Sequence, residues 1–199
     1  MNEPGTNSEA RLAKRSARKE ARLASGGLRP GQAEAASEAV CRLILESAAW
    51  REAGQAMLYM AIPGELDLNQ LLINGLESGK KIALPRYSVK KKAYEACALR
   101  RLSDLVPGKF DILEPPEDSP IMDTMQLDLA VVAGVAFDRL GGRLGRGGGF
   151  FDRLLTGTPA AKCGVCFDEQ VRYDVPVERH DVKMDMIATP SGWLVPPPA

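Results

Sequence analysis

Apolar and polar residues follow two different spacings along the chain, and each spacing predicts one type of element. Helical patterns predict helices over residues 8–24, 31–53 and 67–79, and a further helix from about residue 149. Apolar alternation and short apolar runs predict strands over residues 56–62, 81–87, 93–100, 127–138 and 161–167. Strands and helices therefore follow one another in turn, which is typical of an α/β domain.

The predicted strand over residues 127–138, "LDLAVVAGVAFD", is almost continuously apolar. Such a strand is typical of a parallel sheet that is covered on both faces. We therefore expect residues 1–199 to form a single three-layer α/β domain, in which helices flank a mostly parallel central sheet. Its layers are Rossmann-like, although the fold is not of the standard Rossmann type. Residues 1–10 are expected to form a flexible N-terminal extension.

The composition narrows the class of protein. The chain has 199 residues, is 45% hydrophobic, and balances 26 Lys and Arg against 26 Asp and Glu. That length supports one substantial core, and zero net charge disfavours a general nucleic-acid binder. The sequence contains no apolar run of membrane-spanning length and no secretion signal at its start. A cytoplasmic protein without nucleic-acid or membrane partners is therefore expected. We also expect a monomer, although the composition does not indicate the oligomeric state.

The four cysteines do not indicate a disulfide scaffold or a metal site. Cys163 and Cys166 have C-x-x-C spacing, but they lie in a predicted strand. Residues three apart on a strand point to opposite faces, so the two thiols would diverge. A second pair that could complete a zinc site is missing from the sequence. Structural cysteines are therefore favoured over redox or zinc-binding ones.

The segment "GGRLGRGGGFFDRLL", residues 141–155, joins the most apolar strand to a predicted helix. Ligands of open α/β sheets collect at the carboxyl ends of strands. Glycines let backbone N–H groups approach a ligand, a helix start favours anions, and Arg143 and Arg146 can bind phosphate oxygens. The segment therefore predicts a phosphate site. It is neither a P-loop nor a dinucleotide fingerprint, because the Lys-Ser/Thr pair is missing and Phe150 replaces a required glycine. A purely structural loop stays open as an alternative.

Several segments in a fixed order carry a resemblance to a known family. They are "AKRSARKEAR" (13–22), "AIPGELDLNQLL" (61–72), "ALPRY" (83–87), "AGVAFDRLGGRLGRGGGFFDRLL" (133–155) and "VPVERHDVKMD" (175–185). In these segments the chain resembles the 5-formyltetrahydrofolate cyclo-ligases, also called methenyltetrahydrofolate synthetases. The resemblance extends over nearly the whole chain, and the order of the motifs is more specific than the glycine cluster alone.

The resemblance implies an ATP- and Mg²⁺-dependent cyclisation of 5-formyltetrahydrofolate to 5,10-methenyltetrahydrofolate, with release of ADP and phosphate. In that reaction the formyl oxygen attacks the γ-phosphate, N10 of the folate attacks the resulting imidoyl phosphate, and phosphate leaves. The protein would mainly position two substrates and neutralise charge on the phosphate. The implied partners are ATP and 5-formyltetrahydrofolate, with or without a polyglutamate tail.

The resemblance also implies a role for individual residues. The ATP-binding set is Lys14, Arg18, Arg143, Gly145, Arg146, Gly147, Gly148, Gly149, Phe150 and Phe151, with Arg146 also catalytic. The substrate-binding set is Glu65, Arg86, Tyr87, Gly147, Gly148, Gly149 and Phe150. Asp152 and Asp181 would bind Mg²⁺, which prefers carboxylate and phosphate oxygens.

Other interpretations remain open for these residues. Lys14 and Arg18 share one helix face, which without the resemblance indicates a solvated basic surface. The family usually has Tyr-Tyr where this chain has Phe150-Phe151, so both hydroxyls are lost although the aromatic faces remain. Two alternatives therefore remain. One is another ATP-dependent phosphoryl-transfer enzyme, and the other is a non-catalytic paralogue that binds folate or a nucleotide. RNA binding through the basic helix is disfavoured by the zero net charge.

Overall fold

The computed structural model describes residues 4–25 and 29–197. Its α-helices are α1 (Pro4–Ser25), α2 (Pro30–Leu45), α3 (Ala48–Glu52), α4 (Asn69–Glu77) and α5 (Phe150–Leu155). Its strands are β1 (Gln55–Met57), β2 (Lys81–Ser88), β3 (Ala93–Leu99), β4 (Val106–Pro107), β5 (Leu113–Glu114), β6 (Leu129–Ala133), β7 (Ala136–Asp138), β8 (Arg143–Leu144), β9 (Ala161–Val165), β10 (Val171–Arg172), β11 (Met186–Thr189) and β12 (Gly192–Leu194).

The main sheet has the strand order β12-β11-β9-β6-β1-β2-β3. Neighbouring strands from β11 to β2 run parallel, whereas the two edge strands, β12 and β3, pair antiparallel with their neighbours. Strand β6 lies at the centre, and all five of its residues are buried. A nearly continuous apolar strand is expected where both faces of a sheet are covered. The mostly parallel sheet predicted from the sequence is therefore confirmed.

Helices cover both faces of this sheet. On one face, α2 packs against β11 and α4 against β2, with Ile44 and Leu71 among the fully buried side chains. On the other face, α5 packs against β3, and Leu154 and Leu155 of α5 share a buried cluster with Phe137 of β7. The expected three layers are therefore confirmed. Glycine-rich residues 145–149 connect strand β8 to α5, at the carboxyl end of β6.

The helix predicted over residues 31–53 is instead two helices, α2 and α3. Ser47 causes the break, because its hydroxyl donates to the carbonyl of Ile44 at 2.6 Å and accepts from the backbone N–H of Trp50 at 3.1 Å. A serine in this position ends one helix and caps the next. The apolar stripe continues across the break, which is why the pattern alone predicted one helix.

The strand predicted over residues 127–138 also divides, into β6 and β7. β6 belongs to the main sheet, whereas β7 pairs with β8 and β10 in a small second sheet. Gly134 lies at the division, where a Cβ atom would stand 2.6 Å from the Phe137 ring. Similarly, β1 ends at Met57 rather than at residue 62, and residues 58–62 continue as irregular chain towards the site.

Helix α1 begins at Pro4, four residues before its predicted start. Pro4–Ala10, expected to belong to a flexible extension, is therefore helical, and residues 1–3 lie outside the described chain. Ala21 of α1 is fully buried in a small cluster with Leu144 and Val175. This cluster fixes α1 beside β8 and the C-terminal segment.

Cys163 and Cys166 lie in the apolar clusters on opposite faces of the main sheet, as predicted from their spacing. Burial raises the pKa of the Cys163 thiol to about 12, which keeps it protonated and unreactive. Within the described segments, the structure contains no helix that is long and apolar enough to cross a membrane.

Candidate active site

Two cavities meet at the carboxyl end of β6. The first, here called the apolar cavity, has a volume of about 780 Å³ and is lined mainly by the chain after β1, the chain before β5, and α5. The second, the basic cavity, has a volume of about 1110 Å³ and lies between α1, residues 143–153 and residues 178–181. Both cavities are bordered by the same five residues, namely Arg143, Gly145, Gly148, Gly149 and Asp152. These five residues, here called the partition, therefore belong to the walls of both cavities.

The glycines of the partition, and Gly147 beside them, have backbone geometry or close contacts that exclude other residues. Gly147 and Gly149 have φ angles of 106° and 60°, which are unfavourable for residues with a side chain. A Cβ atom on Gly148 would lie 2.4 Å from the Phe150 ring. Glycine is therefore required at these positions, and the partition leaves backbone groups accessible from both cavities.

A buried ion pair anchors the partition. The side chain of Arg143 is 2% exposed, and its Nη2 donates to Asp152 Oδ1 at 2.6 Å. The same carboxylate oxygen accepts from the backbone N–H of Val182 at 3.2 Å. These bonds connect β8, α5 and the C-terminal segment. The Arg143 Nε atom is buried without a hydrogen-bond partner in the described chain, so a polar group on the arginine remains to be satisfied.

Lys14 extends from α1 to the far side of the basic cavity. Its Nζ donates to Asp181 Oδ2 at 2.5 Å and to Glu178 Oε2 at 2.7 Å, and the lysine is buried. Burial alone would lower the pKa of Lys14, but hydrogen bonds and charges from both carboxylates outweigh it and raise that pKa. Burial would likewise raise the pKa of Asp181, but Lys14 and the Glu178 N–H lower it. Both groups are therefore charged at neutral pH.

Arg18 lies one turn after Lys14 on the same face of α1. Its Nε donates to the carbonyl oxygen of Gly145 at 2.8 Å. A Cβ atom on Gly147 would lie 3.4 Å from the guanidinium carbon of Arg18. The sequence prediction that Lys14, Arg18 and the glycines belong to one site is therefore consistent with their positions around the basic cavity.

Arg146 lies on the opposite side of the partition, at the edge of the apolar cavity. Its Nε donates to Glu65 Oε1 at 2.9 Å, and its side chain is 44% exposed. Glu65 also accepts from the backbone N–H of Ile62 at 3.3 Å. The two residues that the resemblance assigned to catalysis and to substrate binding therefore contact each other directly.

Phe150 and Phe151 line the apolar cavity but not the basic one. Phe150 makes edge-to-face contacts with Tyr94 at 5.0 Å and with Tyr87 at 6.1 Å, measured between ring centroids. The guanidinium carbon of Arg143 lies 5.7 Å from the centre of the Phe151 ring. The aromatic pair therefore lines the same cavity as Glu65 and Arg146, and not the cavity lined by Lys14 and Arg18.

Arg86 and Tyr87 line neither cavity. They lie in β2, which ends at Ser88, one residue after its predicted end. The Arg86 guanidinium donates to the carbonyls of Pro116 and Glu117 at 2.8 and 2.7 Å. These positions do not support the substrate contacts that the resemblance implied, although Tyr87 supports Phe150 from behind.

Asp138 has a structural role that the sequence analysis did not assign. The side chain is buried, and its oxygens accept from the backbone N–H groups of Leu140, Gly142 and Val175 at 2.8, 2.8 and 3.0 Å. Asp138 thereby folds the turn that leads into the partition. The sequence Asp-Arg-Leu-Gly-Gly at residues 138–142 is a turn signal that could have identified this role.

The carboxylates of the basic cavity have the chemistry of a hard-cation site. Asp152 uses Oδ1 for both of its hydrogen bonds, and Asp181 uses Oδ2 for both of its own, so each keeps one oxygen without a hydrogen bond in the described chain. Ligand atoms of Glu178, His180 and Asp181 also lie within 4.8 Å of one another. Carboxylate oxygens beside a phosphate site are suited to Mg²⁺.

Comparison with known proteins places this site in a family. The pattern of the 5-formyltetrahydrofolate cyclo-ligase family matches residues 10–190. The 5-formyltetrahydrofolate cyclo-ligase of Escherichia coli K12 is 33% identical over 143 residues, covering 67% of this chain and 76% of its own. The Saccharomyces cerevisiae cyclo-ligase is 29% identical over 183 residues, covering 79% and 84%.

A solved structure gives the same result for the fold. The 5,10-methenyltetrahydrofolate synthetase of Aquifex aeolicus superposes with a TM-score of 0.83 at 28% identity, covering 94% of each chain. The sequence resemblance, the α/β fold and the assignment to a ligase are thereby confirmed. The chain belongs to the 5-formyltetrahydrofolate cyclo-ligase family.

Proposed function

We propose that the protein cyclises 5-formyltetrahydrofolate to 5,10-methenyltetrahydrofolate while it converts ATP to ADP and phosphate. One observation carries this proposal, namely that an apolar and a basic cavity share a partition of only five bordering residues. A folate on one side and a triphosphate on the other would meet at Gly148 and Gly149. Positioning two substrates in this way removes most of the entropic cost of their reaction.

The apolar cavity is suited to the folate. Its volume of about 780 Å³ is within the usual range for small-molecule sites. Met60, Ile62 and Leu113 give it apolar sides, and the Glu65 carboxylate can accept hydrogen bonds from ring N–H groups. Phe150 and Phe151 would exclude water from the reacting formyl group. This exclusion protects an imidoyl phosphate from hydrolysis before N10 attacks it.

The basic cavity is suited to the ATP phosphates. Lys14 and Arg18 approach it from α1, and Arg143 approaches it from the partition. Gly145, Gly147, Gly148 and Gly149 would bring backbone groups close to the phosphate oxygens. We assign these residues to ATP, whereas the apolar position of Phe150 and Phe151 supports a folate contact instead.

Arg146 is placed to act on the folate side of the transferred phosphate. The formyl oxygen would attack the γ-phosphorus and ADP would leave; N10 would then attack the formyl carbon, and hydrogen phosphate would leave with the proton that N10 loses. Negative charge collects on the phosphate in both steps, and a guanidinium can neutralise it. Glu65 holds Arg146 through a hydrogen bond of 2.9 Å. When the folate engages Glu65, Arg146 would be released towards the phosphate.

Asp152 and Asp181 would bind Mg²⁺ through the oxygen that each keeps without a hydrogen bond. The ion would neutralise the ATP phosphates when bound. Lys14 pairs with Asp181 and Glu178. When these carboxylates bind the cation, the Lys14 ammonium group would become available to bind the phosphates.

The direct experiment follows the absorbance of the methenyl product in a mixture of protein, 5-formyltetrahydrofolate, ATP and Mg²⁺. Product should form only in the complete mixture, with one ADP released per methenyl group. A folded protein that forms no product, or that forms it without ATP, would contradict the proposal. Release of ADP on its own would instead favour another phosphoryl-transfer reaction.

Several finer expectations stay predictions. They are a monomeric state, a cytoplasmic location, and the lack of nucleic-acid and membrane partners. A polyglutamate tail on the folate is a further prediction. Lys90, Lys91 and Lys92 form an exposed basic turn beside Ala93 and Tyr94, and Tyr94 lines the apolar cavity. Lys91 pairs with Glu95 at 2.6 Å, and the turn is an exposed basic surface that could receive such a tail.

A further inference from the structure

The apolar cavity is almost without hydroxyl groups. Its described lining residues include no serine or threonine, and Phe150 and Phe151 have no hydroxyl. Two tyrosines remain, Tyr59 and Tyr94. The Tyr59 hydroxyl is already bonded, because it donates to the buried carbonyl of Leu66 at 2.8 Å. Tyr94 is therefore the one described lining residue whose hydroxyl is not committed to the backbone.

The Tyr94 ring is held firmly in place. Tyr94 and Tyr87 face each other across β3 and β2, with ring centroids 5.5 Å apart at an angle of 74°. The Phe150 ring contacts Tyr94 edge-to-face at 5.0 Å and 85°. Such aromatic contacts fix a ring with little loss of entropy on binding. A ligand in the apolar cavity would therefore meet a preorganised phenol.

A buried carboxylate lies behind this phenol. Glu114 is buried, and its Oε2 accepts from the backbone N–H of Tyr87 at 3.0 Å. Its Oε1 is buried without a hydrogen-bond partner in the described chain. Burial, followed by the charge on Glu114, raises the pKa of Tyr94 to about 12. The phenol therefore keeps its proton at neutral pH, and the carboxylate can attract that proton towards itself.

We propose that Tyr94 positions the folate in the apolar cavity and supplies there the hydroxyl that Phe150 and Phe151 lack. A hydroxyl proton drawn towards Glu114 would leave a lone pair on the oxygen for a ligand in the cavity. The group that it recognises is therefore an N–H donor of the bound pterin. Glu114 acts through Tyr94 as a positioning residue. This inference rests on the proposed function, because it requires 5-formyltetrahydrofolate in the apolar cavity.

The test compares Tyr94→Phe with Tyr87→Phe. Each variant loses one hydroxyl from the same aromatic cluster, but only Tyr94 lines the cavity. Tyr94→Phe should weaken folate binding, raising both the folate Kd without ATP and the folate KM by about 5-fold. The KM of ATP should stay within about 2-fold of the wild type, and Tyr87→Phe should leave all three constants within about 2-fold.

A relocated hydroxyl sharpens this test. The double variant Tyr94→Phe/Phe150→Tyr returns a phenol to the same cavity on the adjacent ring. It should reverse at least about half of the increase in the logarithm of the folate Kd. Equal effects of Tyr94→Phe and Tyr87→Phe would overturn the inference, because they would indicate lost packing alone. An unchanged folate Kd in Tyr94→Phe would also overturn it. In both cases normal turnover by the wild type would leave the proposed function standing.

Discussion

The basic and apolar cavities are built by different means, although they share a partition. The basic cavity depends on charged groups from distant parts of the chain, since Lys14 of α1 pairs with Glu178 and Asp181 near the C-terminus. The apolar cavity depends on packing, since Phe150, Tyr87 and Tyr94 form one aromatic cluster at the end of a hairpin. Changes to the two cavities should therefore have separable effects on ATP and on folate.

The partition is the exception to this separation. Arg143 and Asp152 border both cavities and are joined by a buried ion pair. Removing one member of such a pair leaves the other buried and uncompensated. We therefore expect the strongest effects at the partition, where both cavities and the fold itself are affected.

The first prediction concerns Asp152→Asn. The change leaves the Arg143 guanidinium, which is 2% exposed, without its counter-charge. The free energy of unfolding should fall by about 3 kcal/mol, and both substrates should bind more weakly. Urea unfolding followed by circular dichroism measures the stability directly.

Asp181→Asn is the matched control for Asp152→Asn. Asp181 pairs with Lys14, which has Glu178 as a second counter-charge, so its loss should destabilise the fold by less. An Asp152→Asn protein as stable as Asp181→Asn would show that the partition is not held by the Arg143 pair.

The second prediction concerns a substitution that affects the basic cavity alone. Lys14→Met removes an ammonium group and leaves Glu178 and Asp181 beside the phosphate site without their cation. The KM of ATP should rise by roughly 30-fold, as for the loss of a charge-assisted hydrogen bond. The folate Kd measured without ATP should change by less than about 2-fold. Initial rates over an ATP series and a folate-binding titration give the two values.

The third prediction concerns a substitution that affects the apolar cavity alone. Phe150→Ala removes the ring that packs on Tyr94 at 5.0 Å and opens the cavity to water. The folate KM should rise by about 10-fold, and ADP release should exceed methenyl formation because water captures the intermediate. Phe150→Tyr keeps the ring and should be tolerated. If ADP and methenyl product stay stoichiometric at a near-normal rate in Phe150→Ala, the ring has only a packing role.

The two cavities also differ in how far the sequence could predict them. The glycines of the partition were predictable, because clustered glycine between a strand and a helix has a specific backbone meaning. The alternating strands and helices likewise indicated the sheet. The break at Ser47 was not predictable from apolar spacing, since the apolar stripe of α2 continues into α3 and one hydroxyl decides the boundary.

Side-chain partners were the part that the sequence could not supply. Asp152 was predicted as a metal ligand, but its pairing with Arg143 depends on the distance between β8 and α5 in the folded chain. Arg86 was assigned to substrate through the family resemblance, but its guanidinium is held by the carbonyls of Pro116 and Glu117. These two partners lie about 30 residues from Arg86 along the chain, so the residues around Arg86 carry no local signal for them.

The fourth prediction concerns the pH dependence of the Lys14–Asp181 pair. The pKa of Asp181 is lowered from its ordinary value of 3.8, and that of Lys14 is raised from 10.5. The pair should therefore stabilise the fold fully between about pH 5 and about pH 9. Its contribution should be lost as the pH falls through the lowered pKa of Asp181, or rises through the raised pKa of Lys14.

The free energy of unfolding of the wild type and of Lys14→Met measures this dependence. Their difference should be constant, at about 1.5 kcal/mol, over the central pH range, and should shrink below about pH 4. A difference that keeps its full size at about pH 2 would show that Lys14 stabilises the fold by packing of its stem instead.

The last prediction uses an arginine that borders neither cavity. The Arg86 guanidinium donates to the carbonyls of Pro116 and Glu117 and lies 3.8 Å from Glu95, so its contacts only hold a loop against β2. Arg86→Gln should leave the ATP and folate KM values within about 2-fold of the wild type, while the free energy of unfolding falls by about 1 kcal/mol.

Arg146→Gln is the matched change at the apolar cavity. It should lower kcat strongly with little loss of stability, because the Arg146 side chain is 44% exposed. Steady-state kinetics and thermal unfolding of both variants separate the two roles. A large rise in the folate KM of Arg86→Gln at unchanged stability would contradict the structural placement and return Arg86 to the substrate set.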